Sequence, residues 1–158
     1  MIRIGVGYDS HRFAEGRPLV LGGQTIPHDR GLVGHSDADA VAHALTDAIL
    51  GAAAAGDIGK LFPDTDPQWK DADSIELLRT SHAHVNAMGF HFVQADITVV
   101  LERPKLAAYT EAMARCLAGA LSTGREAISV KAKTNEGMGW IGRGEGVAVM
   151  AVATLEAR

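Results

Sequence analysis

The pattern of apolar and polar positions predicts a chain of interspersed strands and helices. Residues 2–7 open with alternating apolar and polar side chains, which is typical of a strand. Residues 18–27 predict a short hairpin whose turn is the Gly22-Gly23 pair. Segments rich in apolar, often β-branched residues predict three further strands, at residues 90–101, 128–132 and 147–155.

Apolar residues spaced three and four apart predict three helices between these strands. The first begins at Ser36, which we interpret as its N-cap, with Asp39 as the acidic partner of a capping box. It is expected to end at Gly56, and the segment 57–70, which contains glycine and proline, is expected to be an irregular loop. The other two helices span about residues 74–88 and 106–121.

These elements predict a fold of the α/β class, a single-domain sandwich in which a small mixed β-sheet is covered by helices. No internal repeat, low-complexity tract or linker-like stretch divides the sequence, so residues 1–158 are expected to form one catalytic domain. A chain of 158 residues is long enough to bury a stable core without disulfides. Periodicity does not define the order of the strands.

Composition and charge exclude several classes of function. Lys and Arg number 15 against 19 Asp and Glu, and the net charge of -4 argues against a general nucleic-acid surface. No apolar run approaches the roughly 20 residues that a membrane-spanning helix needs. The first residues read as a strand rather than as a signal peptide. We therefore expect a cytoplasmic protein that binds neither nucleic acid nor membrane.

Asp9, His11 and His43 form the most informative polar set. Asp9 and His11 are two positions apart, so an extended backbone directs both side chains to one side. His43 belongs to the first predicted helix, where it forms a polar stripe with Asp39 and Asp47. Two imidazoles and one carboxylate suit Zn²⁺ with an open fourth position, and also non-haem Fe²⁺. A turn-capping aspartate, a surface histidine and a partly buried histidine are the alternative interpretation.

Two segments have the composition of anion sites. His35 and Ser36 precede the body of the first predicted helix, whose free N–H groups can bind an anion. Without other evidence, an ordinary capped helix is the favoured interpretation of these two residues. In the late glycine-rich loop, cationic and polar side chains flank a backbone able to expose several N–H groups to a phosphate. These side chains are Lys131, Lys133, Thr134, Asn135 and Arg143. Glycines needed only for turn geometry are the alternative there.

The same loop contains two further candidates, Glu136 and Trp140. Glu136 lies among cationic residues, where a carboxylate can hold a second divalent ion or simply neutralise its neighbours. Trp140 can stack on a base, but a tryptophan at this kind of position is also a common loop anchor. Spacing alone does not decide between these interpretations.

Four motifs taken together resemble the 2-C-methyl-D-erythritol 2,4-cyclodiphosphate synthase family of the non-mevalonate isoprenoid pathway. The motifs are Gly7-Tyr8-Asp9-Ser10-His11, His35-Ser36-Asp37-Ala38-Asp39, the segment 57–66 and Gly142-Arg143-Gly144-Glu145-Gly146. The resemblance runs from end to end without a large insertion. It implies cyclisation of 4-diphosphocytidyl-2-C-methyl-D-erythritol 2-phosphate with release of CMP, by in-line attack of the 2-phosphate on the β-phosphorus.

The resemblance also implies roles for individual residues. Asp9, His11 and His43 would hold zinc, and Asp9, His11, His35 and Ser36 would contact the phosphates. Catalytic roles fall to His35 and Thr134. The methylerythritol portion would be bound by Asp57, Ile58, Gly59, Phe62, Pro63, Asp64, Thr65 and Asp66. The cytidine diphosphate pocket, contributed by a neighbouring subunit, would comprise Leu101, Pro104, Lys105, Leu106, Ala132, Lys133 and Thr134. Asn135, Glu136, Trp140 and Arg143 would be further substrate contacts.

A homotrimer with active sites at its subunit interfaces is the assembly that the resemblance implies. A second divalent ion, Mg²⁺ or Mn²⁺, would bind the substrate diphosphate with help from Glu136. The family often has a run of threonines where this chain reads Lys133-Thr134-Asn135. Two alternatives remain from the residues themselves: a hydrolase or Fe²⁺ oxygenase built on the same triad, and a non-catalytic trimer that binds a cytidine nucleotide.

Overall fold

A computed structural model describes residues 1–158. The strands are β1 (Ile2–Ala14), β2 (Leu19–Leu21), β3 (Gln24–Ile26), β4 (Gly31–Leu32), β5 (Phe90–Val100), β6 (Ile128–Lys133) and β7 (Gly146–Ala157). The α-helices are α1 (Ala40–Ala52), α2 (Ile58–Leu61), α3 (Ser74–Ala87), α4 (Thr110–Ala120) and α5 (Gly139–Gly142). Two 3₁₀ turns lie at Pro67–Trp69 and Arg125–Ala127. None of the helices combines the length and the hydropathy that a membrane crossing requires.

Five strands form one mixed sheet in the order β4-β1-β7-β5-β6, which confirms the predicted fold class. Only β5 and β6 run parallel, joined by a crossover through α4, and the other pairs are antiparallel. The predicted hairpin is β2-β3, and its Gly22-Gly23 turn has positive φ at both residues, 58° and 74°.

Helix α1 packs unusually close to β1 because two glycines of β1 face it. A Cβ atom added at Gly5 would lie 2.0 Å from the carbonyl oxygen of Ala48, and one added at Gly7 would lie 1.8 Å from that of Ala44. No side chain larger than hydrogen fits at either position. The alanines of α1 and the glycines of β1 therefore bring the two backbones together at the place where the polar residues lie.

The helix begins later than predicted. Its N-cap is Asp39 rather than Ser36, and the Asp39 carboxylate accepts hydrogen bonds from the N–H groups of Val41 and Ala42. Ala38 adopts a left-handed φ of 59°, so a helical path cannot run from Ser36 through to Asp39.

Other boundaries differ for equally local reasons. Helix α1 ends at Ala52, and Gly56, with a φ of 97°, belongs to the connection beyond it. Strand β1 extends to Ala14 because it pairs with β7 along its length, from Ile2 to Arg12. The predicted loop 57–70 contains α2 and the first 3₁₀ turn. The late loop contains the single turn α5, and α4 starts four residues later than expected.

Candidate active site

Strand β1 and helix α1 bring Asp9, His11 and His43 together, in agreement with one of the two interpretations that their spacing left open. The extended conformation of β1 continues through both Asp9 and His11, so both side chains project toward α1. Asp9 Oδ2 lies 2.8 Å from His11 Nε2 and 3.0 Å from His43 Nδ1, and the two imidazole nitrogens are 3.3 Å apart. Three ligand atoms from two elements therefore face one point.

This triad fits a tetrahedral metal ion. For bonds of about 2.0–2.2 Å, the corners of a tetrahedron lie about 3.3–3.6 Å apart. The separation of 3.3 Å between His11 Nε2 and His43 Nδ1 matches this edge, and the two Asp9 distances are shorter, as hydrogen bonds are. His11 Nδ1 lies 2.7 Å from the carbonyl oxygen of Val33, an outer contact of the kind that orients metal-binding histidines.

The electrostatics of the triad favour a cation. Burial by itself would raise the pKa of Asp9, but hydrogen bonds from His11 and His43 outweigh it and lower that pKa to about 2. Burial likewise disfavours the charged form of His11, but the hydrogen bond to Asp9 outweighs this effect and raises the pKa of His11. The negative charge of Asp9 thus attracts positive charge into the triad, and a divalent ion can supply it.

A pocket of about 380 Å³ opens beside the triad. Its walls combine polar side chains from the triad with apolar side chains from the segment after α1. The lining residues are His11, His35, Ser36, His43, Ile58, Gly59, Phe62, Pro63, Asp64, Trp69 and Leu77. Most of the predicted methylerythritol-binding residues are therefore next to the predicted metal ligands.

The remaining predicted residues of this segment lie outside the pocket lining. Asp57 caps α2 by accepting from the N–H of Lys60, and Asp66 caps the following 3₁₀ turn by accepting from the N–H of Gln68. Neither Asp57 nor Asp66 lines the pocket, and the same is true of Thr65.

His35 and Ser36 reach the pocket, but not as a helix N-terminus. The first-turn N–H groups of α1 are taken by the buried Asp39 carboxylate, which also accepts from the backbone N–H groups of Gly22 and Gly23. The proposed anion site on the helix dipole is therefore wrong, because the N-cap already occupies it. An anion in this pocket can therefore contact the side chains of His35 and Ser36, but not the N–H groups of the first turn of α1.

A second, smaller pocket of about 170 Å³ lies at the ends of β5 and β6. It is lined by Leu101, Lys105, Leu106, Ala107, Ala132, Lys133 and Thr134. All of these except Ala107 are residues that were predicted to bind the nucleotide. Three other predicted residues, Pro104, Asn135 and Glu136, do not line the pocket. The carboxylate of Glu102 holds the adjoining turn by accepting from the N–H groups of Asn135, at 2.7 Å, and Gly137, at 3.2 Å.

The two pockets are far apart within one chain. Asp9 is paired with Val149 of β7, Val149 with Val99 of β5, and Val99 with Ala132 of β6. Three strand spacings, about 14 Å, therefore separate Asp9 from Ala132 along this row. Val149 and Val99 are completely buried, so no open groove joins the pockets along the row.

Three other predicted residues occupy different surroundings. Trp140 borders a separate pocket of about 260 Å³ with Ser10, His11, Arg12 and Glu145. Arg143 forms an ion pair of 2.7 Å with Glu145. Lys131 does not join a phosphate cradle, because it points to the outer face of the sheet and pairs with Asp96 at 2.7 Å.

Two residues near the triad were not predicted as site residues. Ser74, fully buried at the start of α3, lies 2.7 Å from His43 Nε2, and Asp47 of α1 accepts from the N–H of Ile58 at 2.8 Å. Ser74 has no local signal, since an N-terminal serine of a helix is ordinary. Asp47 was visible as the third member of a polar stripe, but its partner lies in a segment whose path periodicity does not define.

Comparisons with known proteins agree with this geometry. The model of the YgbB family matches residues 2–156. The 2-C-methyl-D-erythritol 2,4-cyclodiphosphate synthase of Salinibacter ruber is 57% identical over 155 residues, which cover 98% of this chain and 99% of that protein.

Solved structures lead to the same family. The bifunctional IspDF of Campylobacter jejuni matches with a TM-score of 0.96 at 46% identity, covering 100% of this chain and 43% of that one. A 2C-methyl-D-erythritol-2,4-cyclodiphosphate synthase in a CDP-bound form matches with a TM-score of 0.89 at 44% identity, covering 98% of this chain and 100% of that one. The resemblance inferred from the four motifs is thereby confirmed, and the chain belongs to the YgbB family.

Proposed function

We propose that this protein converts 4-diphosphocytidyl-2-C-methyl-D-erythritol 2-phosphate to 2-C-methyl-D-erythritol 2,4-cyclodiphosphate and CMP. The observation that carries the proposal is the convergence of Asp9, His11 and His43 at the mouth of a pocket with polar and apolar walls. The names of the relatives support the same reaction. No observation favours a hydrolase, an oxygenase or a non-catalytic trimer.

The residues around the triad suit intramolecular phosphoryl transfer. Asp9, His11 and His43 would hold a Zn²⁺ ion, which would supply Lewis-acid polarisation of phosphoryl oxygens. The side chains of His35 and Ser36 line the adjoining pocket and can donate hydrogen bonds to the same oxygens. In-line attack of the 2-phosphate oxygen forms one P–O bond while the bond to the CMP phosphate breaks, so the chain chiefly positions the substrate and neutralises charge.

The pocket walls also exclude water. Ile58, Phe62 and Leu77 provide apolar surface for the carbon skeleton of the substrate, and Phe62 is held edge-on to Trp69 with ring centroids 4.9 Å apart. Exclusion of water protects the diphosphate from hydrolysis. The Asp57 carboxylate is exposed beside Ile58 in the sequence, outside the pocket lining, and is our candidate to accept from substrate hydroxyls.

The pocket between β5 and β6 is our candidate for the cytidine diphosphate portion. Lys105 and Lys133 contribute positive charge, and Thr134 contributes a hydroxyl for the diphosphate oxygens. Glu136 is exposed on the adjoining turn, where its carboxylate can share a second divalent ion, Mg²⁺ or Mn²⁺, with the substrate diphosphate.

The separation of the two pockets supports active sites shared between subunits. The two half-sites lie about 14 Å apart by strand spacing, with buried valines between them. A cyclic head-to-tail assembly places the β6 edge of one subunit near the β1 end of the next. In a homotrimer of this kind, each complete site combines the triad of one chain with the nucleotide pocket of its neighbour.

The outer face of the sheet supports the same assembly. It exposes a row of large apolar side chains that no helix covers. These are Ile2, Ile4, Val6 and Tyr8 on β1, 55–69% exposed, and Met150 and Val152 on β7, 51% and 42% exposed. A contiguous apolar sheet face is typical of a surface that other subunits cover.

Release of CMP from the purified substrate tests the proposal directly. We expect one CMP and one cyclic diphosphate per turnover, loss of activity with a chelator, and its return with added Zn²⁺ and Mg²⁺. Asp9→Asn and His43→Ala should lower the rate by at least about a hundredfold, because both remove a ligand of the proposed metal. A linear hydrolysis product or consumption of oxygen would instead identify a hydrolase or an oxygenase. Binding of a cytidine nucleotide without turnover would identify a non-catalytic binding protein.

A further inference from the structure

A hydrogen-bonded chain leads from the metal-facing histidine to a carboxylate outside the predicted ligand set. His43 Nε2 lies 2.7 Å from Ser74 Oγ, and the Ser74 hydroxyl is in turn hydrogen bonded to Asp37 Oδ1. The backbone N–H of Ser74 donates to the other carboxylate oxygen, Asp37 Oδ2, at 3.1 Å. Both oxygens of Asp37 are therefore engaged by Ser74.

The chemistry of these groups defines the direction of the chain. An ionised carboxylate only accepts, so Ser74 donates its single hydroxyl proton to Asp37 and turns its lone pairs toward His43. His43 then carries its proton on Nε2 and donates it to Ser74 Oγ at 2.7 Å, with Ser36 Oγ as a second, longer acceptor at 3.0 Å. The Ser36 hydroxyl can in turn donate to Ser74 Oγ, 3.3 Å away. The lone pair of His43 Nδ1 is left facing Asp9 and His11, where the proposed metal binds.

The surroundings hold this chain in place. Ser74 is fully buried, so water does not compete for its hydroxyl. Asp37 Oδ1 also accepts from the N–H of Asp39 at 3.1 Å, and the N–H of Asp37 donates to the carbonyl of Ala72 at 3.1 Å. Three elements are thereby joined at the metal centre: α1, the turn before it and the start of α3.

We propose that Asp37 and Ser74 are positioning residues of the proposed metal centre, which select the tautomer of His43 and fix the orientation of its ring. The proposal rests on the metal site of the proposed function. Outer partners of this kind typically contribute about ten- to a hundredfold in metal affinity. Here the carboxylate acts through a serine hydroxyl rather than by direct contact with the imidazole.

Zinc affinity, measured by competition with a chromophoric chelator, tests the proposal without depending on turnover. Asp37→Asn and Ser74→Ala should each weaken binding about ten- to a hundredfold. The matched control is Asp73→Asn, because Asp73 caps the same helix end by accepting from the N–H of Ile75 at 2.9 Å and has no hydrogen bond to His43. Asparagine also caps helices well, so this control should bind zinc within about threefold of the unaltered protein.

The double variant Asp37→Asn/Ser74→Ala separates a relay from two independent effects. If Asp37 acts through Ser74, the double variant should bind zinc no more weakly than Ser74→Ala alone. If the losses of zinc affinity in the two single variants multiply in the double variant, Asp37 does not act through Ser74. The proposal is also overturned if Asp37→Asn and Ser74→Ala bind zinc as tightly as Asp73→Asn. Circular dichroism and melting curves check folding, and Asp37→Asn, which keeps the shape of the side chain, still decides the matter if Ser74→Ala does not fold.

Failure of the metal site itself has a different signature. An unaltered protein that binds no zinc would overturn both the proposed function and this inference. An unaltered protein that binds zinc and releases CMP, with all three single variants binding zinc equally, would overturn only the role of Asp37 and Ser74.

Discussion

At the scale of single residues, protons and a metal ion compete for the same atoms. The pKa of Asp9 is lowered to about 2 by its hydrogen bonds to His11 and His43, in spite of burial, whereas the pKa of His11 is raised above its ordinary value of 6.5. In metal-stripped protein, the raised pKa means that protonation of His11 favours folding. That contribution is complete below the unfolded pKa and is lost as pH rises through the folded pKa.

Metal binding should show the opposite dependence on pH. A ligating His11 must be neutral, so zinc affinity should fall by about tenfold per pH unit once the pH is below the raised pKa of His11. The decline should therefore begin above pH 6.5. Chelator competition between pH 8 and pH 5.5 measures it, and an affinity that stays constant over this interval would contradict a role for His11 as a ligand.

Glu102 offers a second test at this scale. Its carboxylate accepts from the N–H groups of Asn135 and Gly137, and so holds the turn beside the nucleotide pocket. Glu102→Gln replaces charged acceptors by neutral ones and should weaken binding of CDP about fivefold in calorimetry. The exposed Glu126 provides the control, and Glu126→Gln should bind CDP normally. Equal affinities of the two variants would show that the turn does not depend on Glu102.

At the scale of elements, the geometry of the Asp9, His11 and His43 triad depends on the close packing of α1 against β1. His43 precedes Ala44, whose carbonyl oxygen would lie 1.8 Å from a Cβ at Gly7. Any movement of the helix away from the strand therefore also moves His43 away from Asp9 and His11. Asp47, one turn further along α1, ties the same helix to the pocket wall through Ile58.

Gly7→Ala should consequently impair stability and metal binding together. The added methyl group must push α1 outward, which should lower the free energy of unfolding by about 3 kcal/mol. Zinc affinity should fall in the same variant. The control is Gly119→Ala, at an exposed position of α4 with no atom near the added Cβ, which should stabilise by up to about 1 kcal/mol. Denaturation at fixed protein concentration measures both, and a neutral Gly7→Ala would contradict the contact.

At the scale of the whole molecule, the sheet separates two half-sites and exposes an apolar face. The triad lies on β1 and α1, and the proposed nucleotide pocket lies at the ends of β5 and β6, toward the opposite edge of the sheet. The apolar side chains of β1 and β7 are exposed on the face of the sheet that points away from α1. This arrangement favours an assembly in which the substrate spans two chains.

Mixed assemblies provide a sharp test of shared sites. Asp9→Asn damages only the metal half and Thr134→Ala only the nucleotide half, so each variant alone should be nearly inactive. When the two variants are co-expressed and mix at random in a cyclic trimer, about one quarter of the interfaces combine an intact metal half with an intact nucleotide half. Co-expression should therefore restore about a quarter of the activity. Co-expression of Asp9→Asn with His43→Ala, which damage the same half, should restore none. Absence of recovery in the first pair would contradict interface sites.

Much of the fold and the triad could be predicted because the relevant signals are local. Alternation identified the main strands, and the two-residue spacing of Asp9 and His11 placed both on one side of β1. The start of α1 was mispredicted at Ser36, because Asp39 and Ser36 are both good caps and only the positive φ of Ala38 decides between them.

The sequence by itself determined the α/β class, the glycine turn of the hairpin and the chemical types of the metal ligands, since each depends on neighbours a few residues apart. Only the tertiary structure decided that Asp39 blocks the helix N-terminus, that Ser74 meets His43 from 31 residues away, and that the two pockets lie toward opposite edges of the sheet. These features depend on strand order and on contacts between distant segments. Such contacts leave no periodic trace along the chain, because they are set by how the elements pack and not by how each one forms.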